Sequence, residues 1–538
     1  MNHDIKRRLS EFFTGEVAAQ AGLTVQTGGA DPFITALEYD SRKVKPETLY
    51  FALSGLHTDG HLYVDDAIAR GAAAVVHEAE IDKKQPGIVY LKVQDSHFAM
   101  SPVSAAFYGF PSHRLLVAGV TGTEGKSTTV YLIWQLLRLM GKKAGFISTV
   151  QHSDGDDALS NPEHQTTPEA TTVQRMLWEM EQNGCTYAVV ESSSHGLSTR
   201  TNRLGDVEFD AAVITNVTHE HLEFHGSWEQ YRSDKANLFR ALDRQHTKES
   251  VLGAETIPEP FGVINADDDS AGYFAEATRR ETTNFSVNGK SAELIMQAIE
   301  SSAFDNWYTV YITGEEISVD VRDRLPGAFN VKNVLAALLA VSGLTGVPVR
   351  ELVPFCTRLQ PVRGRMTSIN KGQPFEVMVD YAHTPSSFRT IFPSIRKRLN
   401  RSGGRIISLF GSAGERDTQK RAEQGKIAAI WSNYIVLTDE DPRGEIPMDI
   451  LEQIADGVNA ERPDFFRRDE NLFLIPDRPA AIRKAFSLAQ EGDLVILLGK
   501  GHENSIIYAD HVMNYDEIKE VEKALDELLG DKEIEFIR

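Results

Sequence analysis

The stretch from Val117 to Leu137 constrains this chain most. An apolar run, Val117-Ala118-Gly119-Val120-Thr121, enters the turn Gly122-Thr123-Glu124-Gly125-Lys126-Ser127-Thr128-Thr129 and leaves as the amphipathic run Val130 to Leu137. A buried strand, a phosphate-cradling loop and a helix account for that order. Glycines at 119, 122 and 125 let backbone N–H groups approach an anion closely, and the helix start adds its own donors and dipole. Lys126 is then expected on the β/γ-phosphates of a nucleotide and the Ser127 hydroxyl on Mg²⁺. The spacing departs from the generic phosphate loop, since Val120 stands five residues before Gly125 and the nearest glycine lies one earlier. An ordinary tight turn between strand and helix is the alternative.

Around this unit the chain alternates strand and helix, which implies an α/β protein. Residues 1–112 read as a small α/β domain with strands at Leu49–Leu53, Ala73–Val76 and Ile88–Leu91 and a helix over Val64–Arg70. Its polar insertions, Tyr39 to Arg42 and Gly55 to Gly60, are either plain loops or ligand loops. Residues 113–359 read as a mostly parallel, helix-covered sheet, with strands expected at Ala144–Ser148, Tyr187–Glu191, Ala211–Asn216 and Phe261–Asn265 and a helix over Val334–Val341. Chemistry in such sheets gathers at strand carboxyl ends, where Glu191 to His195 and Thr215 to His221 fall. The polar segment Gln151 to Pro168 is too long for a plain connector. After Pro361 to Arg365, which has the composition of a linker, residues 360–538 read as a Rossmann-like α/β domain. Its strands Glu376–Asp380, Ile406–Phe410, Ile435–Thr438 and Leu494–Leu498 all run into polar or glycine-rich clusters, which suggests one site. Ile518, Val521, Leu525 and Leu528 follow at helical spacing, the pattern of an exposed helix covering its domain.

Composition narrows the classes. A net charge of −21 over 538 residues argues against nucleic-acid binding by the chain as a whole. Any anionic substrate must therefore meet locally placed Arg, Lys and backbone amides. Cys185 and Cys356 are the only cysteines, too few and too far apart for a disulfide framework or a cysteine zinc site. The N-terminus lacks an apolar core of signal-peptide length and no later stretch approaches a membrane span. A cytoplasmic protein that binds neither membrane nor nucleic acid is expected, acting as a monomer on small molecules.

Taken together, the motifs carry a resemblance across nearly the whole chain. They are the loop Thr121 to Ser127, Glu191 with Ser193-Ser194-His195, Thr215-Asn216 followed by Glu220 to Gly226, and Tyr231 to Phe239 around Lys235. Asn265 to Asp268, Pro326 to Asn333, Arg363 to Met366, Asp380 to Pro385, Asp441-Pro442-Arg443, Gly499 to Glu503 and the early Asp40-Ser41-Arg42 complete the set. The sequence resembles the Mur ligase family, and within it the enzymes that add an amino acid to UDP-N-acetylmuramoyl-L-alanyl-D-glutamate.

That resemblance implies an N-terminal UDP-binding domain, a central ATP-binding domain and a C-terminal amino-acid-binding domain. It implies ATP-dependent amide-bond formation through an acyl phosphate in peptidoglycan precursor synthesis. Gly122, Thr123, Gly125, Lys126, Ser127 and Thr128 would cradle ATP. Asn333 and Asp380 would touch adenine and ribose, and Arg365 would lie near the phosphates. Ser127 and Glu191 would hold one Mg²⁺, and His221 with a carbamylated Lys235 a second. Tyr39, Ser41, Leu56, His57 and Thr58 would meet the uridine end of the sugar nucleotide. Thr166, Thr167 and Ser193 would lie along the muramoyl dipeptide, with Arg200 and Arg203 both candidates for its arginine. Arg416 would take the incoming amino acid's α-carboxylate, and Asp441, Arg443, Gly499 and Glu503 would read its side chain.

Each residue has a plainer explanation: solvated lysine for Lys235, cap or loop histidines for His221 and His225, a helix-surface amide, a turn residue and a linker cation for Asn333, Asp380 and Arg365. Ser193-Ser194-His195 invites a hydrolase reading, but spacing supplies no base or orienting acid. Three departures from the family pattern stand out. Glu124 replaces an Asn in the loop, Gln165 replaces an Asn before the two threonines, and Asp441 replaces the Asn of diaminopimelate-adding enzymes. Arg443 favours a distal carboxylate, as diaminopimelate has, whereas Asp441 and Glu503 favour a distal ammonium, and an Asp441–Arg443 ion pair would cancel the former attraction. The balance points to lysine or ornithine and keeps diaminopimelate open. The alternatives are a folylpolyglutamate-type or other Mur ligase, and a nucleotide-binding regulator without catalysis, made thinkable by Glu124.

Overall fold

The computed structural model describes residues 5–55, 58–161, 165–218, 222–244, 248, 250–301, 306–399 and 403–536. The chain forms two compact units, one of Met1–Glu300, Trp307–Asp323 and Phe329–Leu359, the other of Ser301–Asn306, Arg324–Ala328 and Gln360–Arg538.

The first unit contains two sheets with separate cores. Five strands make the smaller one, in the order Leu23–Thr27, Val89–Val93, Ala72–His77, Thr48–Phe51, Ala36–Glu38. The apolar strands expected from sequence are there, shifted by a residue or two. Leu53 falls outside its strand because Ala52 N makes the last ladder bond, to Val76 O, and Leu53 O turns to accept from Gly60 N. The outer strands carried no signal, Leu23–Thr27 being largely exposed and Ala36–Glu38 only three residues long. The helix Ser96–Phe107 packs against Ala170–Gln182, and Tyr108 meets Trp178 with ring centroids 5.8 Å apart. That packing joins the first two sequence domains into one compact unit.

The larger sheet has eleven strands, and at its middle lie, in spatial order, Ala144–Ile147, Tyr187–Glu191, Leu116–Thr121, Ala211–Ile214 and Phe261–Asn265, all parallel. The order explains the site. The strand entering the glycine loop runs between the strand that ends in Glu191 and the strand that leads into Thr215 and Asn216, so all three motifs emerge at one carboxyl end. The sheet continues through Thr282–Ser286, Leu294–Ser301, Asn306–Ile312 and Ile317–Asp323. Those last strands were missed, although Asn306–Ile312 alternates buried and less buried positions along its length. Among the described residues no single helix is long and apolar enough to cross a membrane.

The second unit carries a six-stranded sheet ordered Thr367–Ile369, Glu376–Asp380, Leu494–Leu498, Ile406–Phe410, Tyr434–Leu437, Leu472–Leu474, parallel except for the first. Four strand ends loaded with polar clusters therefore share one edge, as expected. Ile518, Val521 and Leu525, on the helix Glu517–Phe536, are buried in this unit's core with Leu528 packed beside them. Pro361 to Arg365 is no mere linker. Arg363 pairs with Asp516 at 2.9 Å, and a Cβ at Gly364 would lie 2.4 Å from His502 N, so the segment is packed onto its own unit.

Candidate active site

The loop between Thr121 and Lys126 is shaped by its neighbours. Gly122 sits at φ +149°, where a Cβ would fall 1.9 Å from Thr215 Oγ1, and Gly125 at φ +83°, where one would fall 2.5 Å from Asn333 Oδ1. These two positions require glycine for conformation and space. Gly119 does not belong with them. It lies within the strand, and its missing Cβ makes room for Leu238 and Phe209, so it serves packing and not an anion. Two loop amides are also spoken for: Thr123 N donates to Asn216 O at 2.8 Å and Glu124 N to Asn216 Oδ1 at 3.0 Å. The first turn of the helix Lys126–Leu139 has the N–H groups that a helix start leaves without intrahelical partners. Thr123, expected at the nucleotide, turns its hydroxyl to Thr218 and to Tyr231 Oη instead. Thr128 lies in that first turn, half-buried.

Two lysines converge on one carbonyl. Lys126 Nζ donates to Gly122 O at 3.1 Å and Thr123 O at 2.8 Å, and Lys235 Nζ donates to the same Gly122 O at 2.6 Å. Lys235 is 1% exposed and lies over the Tyr231 ring, so it is no solvated surface lysine. Beside them Glu191, also 1% exposed, accepts from Ser127 Oγ at 2.9 Å, Ser148 Oγ at 2.6 Å and Thr149 N at 2.9 Å. Ser148 and Thr149 went unnoticed in the sequence; they reach Glu191 because the strand Ala144–Ile147 is its neighbour in the sheet.

The donor set tests the expected metal. Ser127 and Glu191 offer touching hard oxygens suited to Mg²⁺. As an ammonium Lys235 repels a cation, so it fits a metal only in a carbamylated form. His221 lies outside the described residues, and among those described no cluster of three or more His, Cys, Asp or Glu side chains could hold a metal. Asn333, expected to meet adenine, is buried, donates to Asn330 Oδ1 and backs the loop at Gly125.

The peptide residues adjoin the same strand end. Thr167 Oγ1 donates to Glu191 O at 2.8 Å and accepts from Ser193 N at 3.0 Å, and Ser193 caps a short helix at Gly196 N. Arg203 donates to Thr167 O at 2.8 Å and pairs with Glu169 at 2.5 Å. Arg200 goes elsewhere, over the Phe224 ring and onto Phe224 O. Of the two candidate arginines, Arg203 is therefore the one brought to the threonines; Thr166 lies half-buried one residue before Thr167. The fold also supplies what spacing left out beside Ser194. His225 lies with Nε2 3.0 Å from Ser194 Oγ and Nδ1 2.7 Å from Asp234. All three are buried, so this serine, histidine and aspartate tie elements together and present no exposed nucleophile.

Among the residues expected at the uridine, Asp40 caps the turn Ser41–Lys43 and pairs with Arg42, Tyr39 packs against the small core, and Thr58 Oγ1 reaches Tyr63 Oη at 3.4 Å. Leu56 and His57 lie outside the described residues.

In the second unit, Asp380 takes Met366 N and Ala382 N on its two carboxylate oxygens, both at 2.7 Å, so it builds the turn that carries Arg365. Arg365 lies over the Tyr381 ring, which also touches His383 and His502. Burial, with help from Lys420 in one case and Arg365 and Lys500 in the other, depresses His383 to about 4 and His502 to about 3. Burial likewise raises the Glu440 carboxyl.

The amino-acid residues are arranged differently from expectation. Asp441 pairs with Lys500, Nζ to Oδ1 at 2.9 Å, and not with Arg443; the same Nζ meets Glu503 at 2.5 Å. Lys500, unassigned in the sequence, therefore neutralises both carboxylates expected to read an ammonium. Among the described residues the buried Nε of Arg443 makes no hydrogen bond. Gly499, at φ +103°, brings the chain close to Glu440, and Arg416 is exposed on the loop after Ile406–Phe410.

Comparison with known proteins places these motifs. The Mur ligase family catalytic domain matches residues 33–108, the Mur ligase middle domain residues 120–341, and the Mur ligase glutamate ligase domain residues 364–501. A UDP-N-acetylmuramyl-tripeptide synthetase of Treponema denticola is 49% identical over 93% of this chain and 95% of its own length. A UDP-N-acetylmuramoyl-L-alanyl-D-glutamate–2,6-diaminopimelate ligase of Geobacillus kaustophilus is 37% identical over 92% of this chain and 95% of its own. Among solved structures a ligase of the latter name superposes with a TM-score of 0.60 at 27% identity, covering 92% and 95% of the two chains. The Thermotoga maritima MurF ligase in complex with ADP shares the fold, with a TM-score of 0.61 at 16% identity over 92% and 98%. The chain belongs to the Mur ligase family, the ATP-dependent amide-bond ligases of peptidoglycan synthesis.

Proposed function

We propose that this ligase adds a diamino acid to UDP-N-acetylmuramoyl-L-alanyl-D-glutamate. One observation carries the reading. The Glu191 side chain meets Ser127 of the nucleotide loop, while its backbone carbonyl meets Thr167, which contacts Ser193 and Arg203. Nucleotide end and peptide end are thus two sides of one strand terminus.

A free carboxylate and an amine do not condense in water without activation. The peptide carboxylate, oriented by Thr167, Ser193 and Arg203, attacks the γ-phosphorus of ATP and displaces ADP. Lys126 leaves the Gly122 and Thr123 carbonyls for the phosphates, where its charge offsets that developing on the transferred group. Ser127 and Glu191 would hold a Mg²⁺, which would supply further neutralisation of the triphosphate, and a carbamylated Lys235 with His221 would hold a second ion. The amine of the incoming amino acid then attacks the acyl carbon. Phosphate departs, leaving an amide and one proton.

Arg416 takes the α-carboxylate of that amino acid, and Asp441, Arg443, Gly499 and Glu503 surround its side chain. Glu503 shares Lys500 with Asp441 but is the more exposed of the two, and its outer edge suits the distal ammonium of lysine or ornithine. Diaminopimelate is the second reading, favoured because Lys500 occupies Asp441 and leaves Arg443 uncancelled. The experiment presents UDP-muramoyl-Ala-Glu and ATP with lysine, ornithine or diaminopimelate in parallel and weighs the products. A product heavier by one diamino-acid residue, with phosphate released only when both co-substrates are present, is expected. Phosphate release with no amide product would overturn the proposal.

A further inference from the structure

Two loops of the second unit carry the arginines assigned above to the amino acid. One follows Ile406–Phe410 and holds Arg416; the other follows Tyr434–Leu437 and holds Arg443. Both contain a residue that is not glycine in the left-handed region, Glu415 and Arg443, each at φ +54°. Such backbone is strained for a residue with a side chain and persists only where the surroundings over-determine it.

The over-determination is visible. Arg421, fully buried on the helix Gln419–Trp431, grips Glu445 with both ends of its fork, at 2.8 and 2.9 Å. The same guanidinium donates to Ala413 O at 3.1 Å on the first loop, and to Gln453 at 2.9 Å. Glu445 Oε1 also accepts from Glu415 N at 2.5 Å, the amide of the strained residue next to Arg416. Gly414 N adds a bond to Asp441 O at 2.8 Å, and a Cβ on Gly414 would sit 2.0 Å from Pro442 O. The loops are thus stitched edge to edge, with one ion pair spanning them. Arg421 and its backbone partner hold the Glu445 carboxyl down to about 2, so the pair stays charged at any working pH.

We propose that the Arg421–Glu445 pair is a positioning clamp that sets the distance between Arg416 and Arg443, and hence the fit of the incoming amino acid. The proposal rests on those two arginines binding that substrate. Neither member of the clamp touches it.

The test compares Glu445→Ala, Glu445→Gln and Arg416→Ala in steady-state kinetics with each substrate varied in turn. Glu445, partly exposed at the rim, is the member to truncate, because Arg421 is fully buried. Glu445→Ala is expected to raise the KM for the amino acid by about tenfold while the KM values for ATP and the sugar nucleotide stay within about twofold. Glu445→Gln keeps one acceptor oxygen, for Glu415 N and one arm of Arg421, but sets an amide donor against the other arm, so it should recover only part of the loss. An unchanged amino-acid KM in Glu445→Ala, or an equal rise in all three KM values, would overturn the clamp. Should Glu445→Ala fail to fold, Glu445→Asp, which keeps the charge but shortens its reach, decides by the same ratio of KM values. Arg416→Ala separates the two levels: no change in amino-acid KM there defeats the assignment of the substrate site, whereas a rise there without one in Glu445→Ala defeats the clamp alone.

Discussion

The carboxyl edge of the large central sheet and the carboxyl edge of the C-terminal sheet are built alike and held differently. At the first, Lys126 rests on carbonyl oxygens and Glu191 on two hydroxyls and an amide. At the second, charges meet charges: Lys500 with Asp441 and Glu503, Arg421 with Glu445. Releasing a charge from a neutral partner costs about one hydrogen bond, roughly 0.5–1.5 kcal/mol net, whereas breaking a buried ion pair by removing one member costs about 3–5 kcal/mol. Contacts of the first kind suit the triphosphate proposed for that edge, which must displace them. Those of the second kind suit the fixed surface proposed for the amino acid.

The contrast breaks most readily at Lys126. If its charge is held in readiness for phosphate, Lys126→Ala should lower kcat by about 10³-fold while thermal unfolding barely moves, since only two hydrogen bonds to carbonyls are lost. A large fall in melting temperature would show that the lysine is structural. Next in size is the acid response of the second edge. His383 titrates near 4 in the fold against 6.5 in an open chain. The unfolded chain therefore binds more protons between those values, and stability is complete above pH 6.5 and falls as the pH drops towards 4. The loss is about 3 kcal/mol from His383, read from urea unfolding across that range. His383→Phe should flatten the slope; an unaltered slope would place the acid sensitivity elsewhere. The smallest effect belongs to Asp441→Asn. With Lys500 already neutralising Asp441, the variant should shift the preference between lysine and diaminopimelate by only about threefold towards diaminopimelate. A reversal of specificity would mean that Asp441 acts on the substrate directly and that the second edge is less fixed than its ion pairs imply.

Much of this was legible in the residues. The strand, loop and helix around Lys126 announce themselves because the apolar period and the glycines lie within one short stretch. The four loaded strand ends of the C-terminal sheet are readable for the same reason, since parallel strands must end on one edge. Less legible was which neighbour each polar group would choose. Gly119 looked like part of an anion cradle and proved to be a packing glycine, because Phe209, just before the strand Ala211–Ile214, and Leu238, on the helix Trp228–Leu242, come from far along the chain. Whether Asp441 would pair with Arg443, two residues away, was open. Adjacent side chains on a turn diverge, and the lysine fifty-nine positions on arrives at 2.9 Å. His225 and Asp234 reach Ser194 by the same route, across elements.

The sequence by itself determined the alternation of strands and helices, the phosphate loop and the order of the motifs, for these depend on local periodicity and on glycine where the backbone needs it. Only the tertiary structure decided that Arg203 and not Arg200 joins Thr167, that Lys500 quiets two carboxylates, and that Arg421 bridges two strained loops. Hydrogen bonds and ion pairs are satisfied in space, at ranges of about 3 Å, and distance along the chain carries almost no information about them.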